Sequence, residues 1–263
     1  METYLALART SFQRQLAYRA ANLAGIVTNA FFGAVTVLVY VALFRERSSV
    51  AGYDVRDAVT YAVVVQAMLM AVTVLGSREI EKSISNGEVA ADLSRPFDYY
   101  WHWAAREMGR LVYFALFRGL PTFAIGWLLF RARLPATAGA LVGFLVSLAL
   151  AMALSFTLQF LINATAFWTL DATGIIYLSN TLMFLFSGTL VPVSFFPSWL
   201  RTVAEWLPFQ GQMFLPISIY LGKAAGTGVL RVWAIQGIWI LILVLVGRLV
   251  FRLALKKVVV QGG

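Results

Sequence analysis

Six apolar runs separated by short polar breaks set the pattern of this chain. They predict helices over about 22–44, 58–75, 109–130, 136–168, 173–191 and 232–251, each near or above the ~20 residues that cross a bilayer core. The fourth is longer than one bilayer needs, so it is expected to tilt or to project. Arg131, Arg133 and Pro135 close the third run, and Arg118 lies inside it.

Ahead of the first run, residues 1–21 are too polar to span. Leu5, Ala8, Phe12 and Leu16 nevertheless fall on one helical face with Arg14 opposite, which predicts an interfacial helix. Arg9, Arg14 and Arg19 suit an anionic cytoplasmic leaflet. A signal peptide fits less well, because the run after Arg19 is long and has no clear small-residue cleavage site, so the N-terminus is expected to stay.

Two polar interruptions carry the most information. The first, Ser77–Asp98, is the only long charged segment and falls within a predicted loop over 76–108. Ile80 and Ile84 share a face there among Arg78, Glu79, Glu81 and Lys82. Asn86-Gly87 supplies a helix stop because glycine accepts the left-handed cap. A second short helix, Glu88 to Leu93, follows, and Arg95-Pro96 forces the chain out of helix. This is the stretch that a soluble partner could grip, against the plainer reading of a solvated loop. The second, Ser187–Lys223, opens a predicted outer hairpin over 192–230, broken by Pro192, Pro197 and Pro208. Ser198 can cap a short helix with Trp199, Leu200, Val203 and Leu207 on one face. The apolar Gln212–Leu221 is too short to span and suits a re-entrant or interfacial piece.

Composition agrees with the pattern. Hydrophobic residues make up 60% and charged residues 13%, with a mean hydropathy of +0.79, so the reading is an all-α polytopic membrane protein of six spans. The net charge of +9 comes from basic residues scattered at the ends of apolar runs rather than gathered on one face, which argues for topology signals and against nucleic acid. With the N-terminus cytoplasmic, about twelve Lys/Arg fall inside and about eight outside. Both termini and Ser77–Asp98 are then cytoplasmic. There is no cysteine, which excludes disulfides and thiolate metal sites. The lone His102 sits among Tyr99, Tyr100, Trp101 and Trp103 and reads as an interfacial aromatic neighbour rather than a ligand. Gly222-Lys223-Ala224 lacks the earlier glycine and the hydroxyl of a phosphate loop, and no nucleophile–base or paired-carboxylate arrangement suggests an enzyme.

The order of these parts resembles the permease subunit of type-2 ABC transporters, over essentially the whole chain. Ser187-Gly188 with Pro192, Phe196-Pro197-Ser198-Trp199-Leu200, Leu207-Pro208-Phe209 and Gly222 carry the resemblance in the outer hairpin, with Asn86-Gly87-Glu88 and Leu93-Ser94-Arg95-Pro96 in the loop. The short length resembles bacterial drug or natural-product export permeases. The resemblance implies one single six-span domain in the plasma membrane, pairing with a second six-span permease and with a cytoplasmic ABC ATPase dimer. ATP and Mg would bind on that ATPase and no cofactor in this chain. It further implies coupling residues Ile80, Ile84, Gly87, Glu88, Leu93, Arg95 and Pro96, with Ile84 and Leu93 docking in an apolar groove of the ATPase. The outer gate would comprise Gly188, Pro192, Pro197, Trp199 and Pro208. A secondary transporter and a non-transporting membrane scaffold stay open as alternatives, and a tightly held ATPase would separate them from an exporter.

Arg118 admits three readings: snorkelling to the headgroups, pairing with an acid (Glu107 or, preferred, Asp171), or contact with an anionic cargo. Gln66, Gln159, Asn163 and Asn180 could line a pathway or make interhelical hydrogen bonds.

Overall fold

The computed structural model describes residues 2–72, 78–94, 97–169 and 172–255. Among these the regular structure is helical, apart from an isolated bridge between Val50 and Tyr53. The helices are α1 (Glu2–Gln15), α2 (Arg19–Leu43), α3 (Val55–Met68), α4 (Glu79–Ser85), α5 (Val89–Leu93), α6 (Tyr99–Phe114), α7 (Leu120–Phe130), α8 (Ala138–Ala164), α9 (Ala166–Thr169), α10 (Thr173–Phe186), α11 (Ser198–Glu205), α12 (Phe214–Tyr220) and α13 (Thr227–Leu255). Four stretches among the described residues are long and apolar enough to cross a bilayer: Arg19–Leu43, Tyr99–Phe130, Ala138–Thr169 and Thr227–Ala254. The other two apolar runs give the 14-residue helices α3 and α10. At 1.5 Å per residue each is ~21 Å long, short of a ~30 Å hydrocarbon core.

The third run starts much earlier than its hydropathy suggests. Tyr99–Phe130 is one helix, in which α6 continues through a π turn, Ala115–Gly119, into α7. The turn has a local cause. Pro121 has no N–H to return to the carbonyl of Phe117 four residues back, and the helix widens just before it. Asn22 of α2 donates from Nδ2 to that Phe117 carbonyl at 2.9 Å. The break is therefore satisfied by the neighbouring helix.

Helices α2, α3 and α7 pack as one group. A capping box starts α3, with Asp54 accepting from the Asp57 amide at 2.7 Å. Beyond it Ala58 to Val65 are buried without interruption, which is why this run has no polar face. From α2 comes a stripe of Gly25, Asn29, Gly33, Val37 and Tyr40 at helical spacing. Gly126 lies so close to Val63 that any side chain there would collide with it, the close approach that small residues permit between membrane helices.

A second group forms around α8, which packs against α12 and α13. Its polar side chains face inward: Ser147 donates to Gln236 Oε1 at 2.8 Å, and Ser155 accepts from Gln212 Nε2 at 2.9 Å. Every residue of α12 from Leu215 to Tyr220 is buried. This seven-residue helix is a piece of the core, and its packing joins α8 to the α2–α3–α7 group through Ile217, Ile219 and Tyr220.

The N-terminal helix α1 lies along α6 in parallel register, with Ala8 against Gly109 and Phe12 edge-on to Tyr113 and Phe117 at 5.5 and 6.0 Å. Of the apolar face read from the sequence, Ala8 and Phe12 thus meet protein, while Leu5 is exposed. A side chain at Gly109 would strike the Ala8 carbonyl. Gly109→Leu is therefore expected to lift α1 from α6, seen as faster proteolysis between α1 and α2 and a lower Tm in detergent. Unchanged proteolysis would show that this packing does not hold α1.

Candidate functional site

The charged interruption folds as two short helices at a sharp corner. After α4 ends at Ser85, Gly87 takes φ +77, and α5 begins at Val89. Its apolar side chains turn inward: Ile80 is buried, and Ile84 and Leu93 are half-buried against a cluster containing Tyr99, Tyr100, Trp103, Phe156 and Phe160. Lys82, Ser85, Asn86, Gly87 and Glu88 remain exposed and form the outward tip. Arg95 and Pro96 lie outside the described residues.

Polar bonds tie α4 to three longer helices at once. Arg106 of α6 pairs with Glu79 at 3.1 Å. The Glu81 amide donates to Asn163 Oδ1 of α8 at 3.1 Å. Arg78, at the start of α4, donates to Thr173 of α10 at 2.6 Å and also pairs with Glu81 at 3.1 Å. His102, beside this element, is buried and stacks on Phe97 at 5.2 Å.

At the opposite end, the proline-broken hairpin folds back onto α2 and α3. Gly188 has φ +86, and a Cβ there would meet the Tyr61 hydroxyl, so only glycine fits without strain. Tyr61 donates to the Gly188 carbonyl at 2.6 Å. Pro192 is buried ahead of a 3₁₀ turn, Val193–Phe195, whose Phe195 ring meets Tyr53 edge-on at 5.4 Å. Pro197 precedes α11, and Ser198 is the first residue of that helix rather than its cap, with no side-chain capping bond. On α11, Ala204 is the buried residue, whereas Trp199 and Val203 point outward and Trp199 is 68% exposed. Pro208 is buried at the start of the turn that leads toward α12.

An ion cluster that the sequence did not disclose locks this end. Asp57, whose side chain is 6% exposed, accepts from Arg133 at 2.5 Å and from Lys223 at 2.6 Å. Asp54 pairs with the same arginine at 2.8 Å. Lys223 also donates to the Gly52 carbonyl at 2.7 Å, and Tyr220 to the Arg133 carbonyl at 3.0 Å. The available signal was the acidic pair Asp54 and Asp57 at capping spacing. Its partners lie 76 or more positions away.

Arg118 makes no ion pair with an acid among the described residues. Its guanidinium lies against Gly25 and donates to the Gly25 carbonyl and to Asn29 Oδ1, each at 3.2 Å. Glu107, the other acid considered for it, is bound by Arg110. Asp171 lies outside the described residues. The amides Gln159, Asn163 and Asn180 bond to one another, Gln159 to Asn180 at 3.1 Å and Asn163 to the Gln159 carbonyl at 2.8 Å. Gln66 accepts from Asn29 through its carbonyl at 3.2 Å. Interhelical bonds are made by the side chains of Gln159 with Asn180 and of Asn163 with the Glu81 amide, whereas Gln66 contributes its main-chain carbonyl. A cleft of about 540 Å³ opens instead between α3, the π turn, α7 and α8, walled by apolar groups such as Val64, Leu120, Phe123, Leu141 and Phe144.

These parts in this order define a polytopic helical membrane protein with a short polar element bonded to several membrane helices. The chain belongs to the ABC-2 transporter family: the family model described as ABC-2 family transporter protein matches residues 31–262. It is thus a permease, the multi-pass membrane component of an ABC transporter, which associates with an ABC ATPase and is not itself the catalytic part. No curated protein matches the chain.

Replacing both Arg133 and Lys223 by Met would leave Asp57 buried without a counter-charge. The expected cost is toward the low end of the ~3–5 kcal/mol typical of an orphaned buried charge, since both cations are partly exposed and screened. Adding Asp57→Leu should recover much of it in thermal unfolding, and no recovery would remove the cluster as a lock. Burial opposes ionisation of Asp54, but the Asp57 amide and the Arg133 guanidinium outweigh it and hold its carboxyl below the ordinary range. Because the folded value is depressed, its contribution is fully present above the unfolded pKa of ~3.9 and is lost as pH falls through the folded value. Asp54→Asn should flatten that part of the acid dependence of Tm.

Proposed function

We propose that this chain forms half of the membrane pathway of an ATP-driven exporter that moves an amphipathic or hydrophobic small molecule out of the cytoplasm. The observation that carries the reading is the bonding of α4, simultaneously, to α6, α8 and α10. A partner that pushes on the exposed tip at Gly87 and Glu88 moves three membrane helices together. In this reading α3 and α10 complete six passes with the four long stretches, their shortness offset by burial against protein or by local thinning of the bilayer. Both termini and α4–α5 face the cytoplasm. A second six-span permease, identical or related, supplies the other half, and a dimeric ABC ATPase carries ATP and Mg. The coupling surface is then the polar tip, while Ile80, Ile84 and Leu93 serve it from beneath as packing. Pro192, Pro197, Trp199 and Pro208 belong to an outer hairpin, with α12 as its re-entrant limb, that closes the pathway and opens for release. The apolar cleft supports a hydrophobic cargo. ATP shifts the balance between inward and outward arrangements only through tighter binding of its subunits to one of them.

Two measurements test this. Glu88→Lys should weaken pull-down of the ATPase. Arg78→Ala combined with Asn163→Ala should leave pull-down intact and lower cargo-stimulated ATP hydrolysis, and full stimulation in that variant would take α4 out of the mechanism. In this cysteine-free chain, an impermeant thiol reagent should label Ser198→Cys from outside the cell and Glu88→Cys only after the membrane is opened. Labelling of both from one side would overturn the topology.

A further inference from the structure

Arg118 and Arg14 both line a cavity of about 350 Å³ where α1, α2, α4 and α6 meet. Gln15, Tyr18, Asn22 and Glu79 complete its polar wall. Glu79 is already matched by Arg106 at 3.1 Å. Among the described residues neither Arg14 nor Arg118 takes part in an ion pair. The two acceptors that hold Arg118, the Gly25 carbonyl and Asn29 Oδ1, are neutral. Its Nε is buried with no partner, as is Asn22 Oδ1 beside it.

This is an uncompensated charge well inside an apolar helix group. Asn29, which grips it, lies ten residues beyond the first residue of α2, or ~15 Å along the axis. A guanidinium at such a depth is costly unless a counter-charge reaches it, and its planar fork matches a phosphate. Arg14 stands at the end of a helix whose basic residues suit an anionic leaflet, and the half-exposed ring of Tyr18 has the amphipathic character of a headgroup-level side chain. We propose that the cavity is a binding site for the phosphate of an anionic phospholipid headgroup, held between Arg14 and Arg118. The lipid joins α1 and α2 to the base of α4. The site is independent of the transport reading, because it requires only that the corner between α1 and α2 lie at a membrane surface.

The test uses the full chain in nanodiscs of phosphatidylcholine with increasing phosphatidylglycerol, read by thermal unfolding. Phosphatidylglycerol should raise the Tm of the wild type. Arg14→Gln and Arg118→Gln should each need about tenfold more of it for the same shift, the scale of one charge-assisted hydrogen bond. Arg118→Lys should keep part of the response, and Arg9→Gln, on the same helix but outside the cavity, should keep all of it. Arg14 makes no side-chain hydrogen bond to a described residue, so its variant keeps the test usable if Arg118→Gln folds poorly. An unchanged response in Arg14→Gln and Arg118→Gln, or an equal loss in Arg9→Gln, would reduce the effect to diffuse surface charge and overturn the site. A Tm rise from inorganic phosphate in pure phosphatidylcholine discs, absent in the same two variants, would overturn the lipid as the source in favour of a soluble phosphate.

Discussion

A main-chain carbonyl freed inside a bilayer has no water to turn to, and each one left unmatched costs several kcal/mol. That constraint explains where this chain keeps several of its polar side chains. Asn22 meets the Phe117 carbonyl released by Pro121, and Tyr61 meets the carbonyl of Gly188 at the start of the hairpin. Gln236 donates to the carbonyls of Gly211 and Ser147 at 2.8 and 3.0 Å, and Trp233 to that of Gly143 at 3.2 Å. Asn22, Tyr61 and one bond of Gln236 thus meet carbonyls at irregular backbone, while the bonds to Gly143 and Ser147 tie α13 to carbonyls within α8. The irregular backbone of the hairpin and of the π turn exists because another helix is in place to receive it.

The same logic distinguishes α4 from an ordinary surface helix. At seven residues it is too short to persist alone, since an isolated helix needs ~12–15 residues to be even marginal in water. It is fixed by burial of Ile80 and by polar bonds to α6, α8 and α10, so its position is set by those helices, and their positions respond to it. Its outward residues carry little of that anchoring. A partner can therefore bind the tip without dismantling the attachment beneath, which is what a coupling element requires.

Hydropathy disclosed the long helices because a run such as that of α13 is apolar over most of its length, and the stop at Asn86-Gly87 was legible because it rests on local backbone preference. Boundaries failed where hydropathy and helicity part company. The amphipathic Tyr99–Met108 reads as loop by hydropathy yet is the first part of the helix that continues into α7, and the run read as 58–75 is helical only as Val55–Met68 among the described residues. The side to which the apolar face of α11 turns was not legible for a related reason. Trp199 and Val203 do share a face, but in a membrane environment an apolar face can point away from the protein, so amphipathicity alone does not say which side is the core. Partners distant in sequence were not legible at all. Nothing local in Asp57 announces Arg133 and Lys223, and Arg118 could not be assigned to Gly25 and Asn29 until α2 was placed beside α6 and α7.

The two ends of the α2–α3–α7 group are held by forces of different size, and this bears on how the proposed exporter could alternate. One end is closed by Asp57 with two cations and by hydrogen bonds such as Tyr61 to Gly188 and Tyr220 to Arg133. The other carries Arg118 on neutral acceptors next to a cavity. Parting a buried ion pair costs ~3–5 kcal/mol when one partner is stranded, and each hydrogen bond adds ~1 kcal/mol. Driving a two-state equilibrium from one side to the other takes ~5.5 kcal/mol of differential binding. The lock at the Asp57 end is of that magnitude. In the proposed exporter, a lock of this size would hold the pathway shut at rest and still yield to a partner that binds one arrangement more tightly. If Lys223 moves away with the hairpin while Arg133 stays, Asp57 is never left without a counter-charge, and the cost of opening falls below that of full separation.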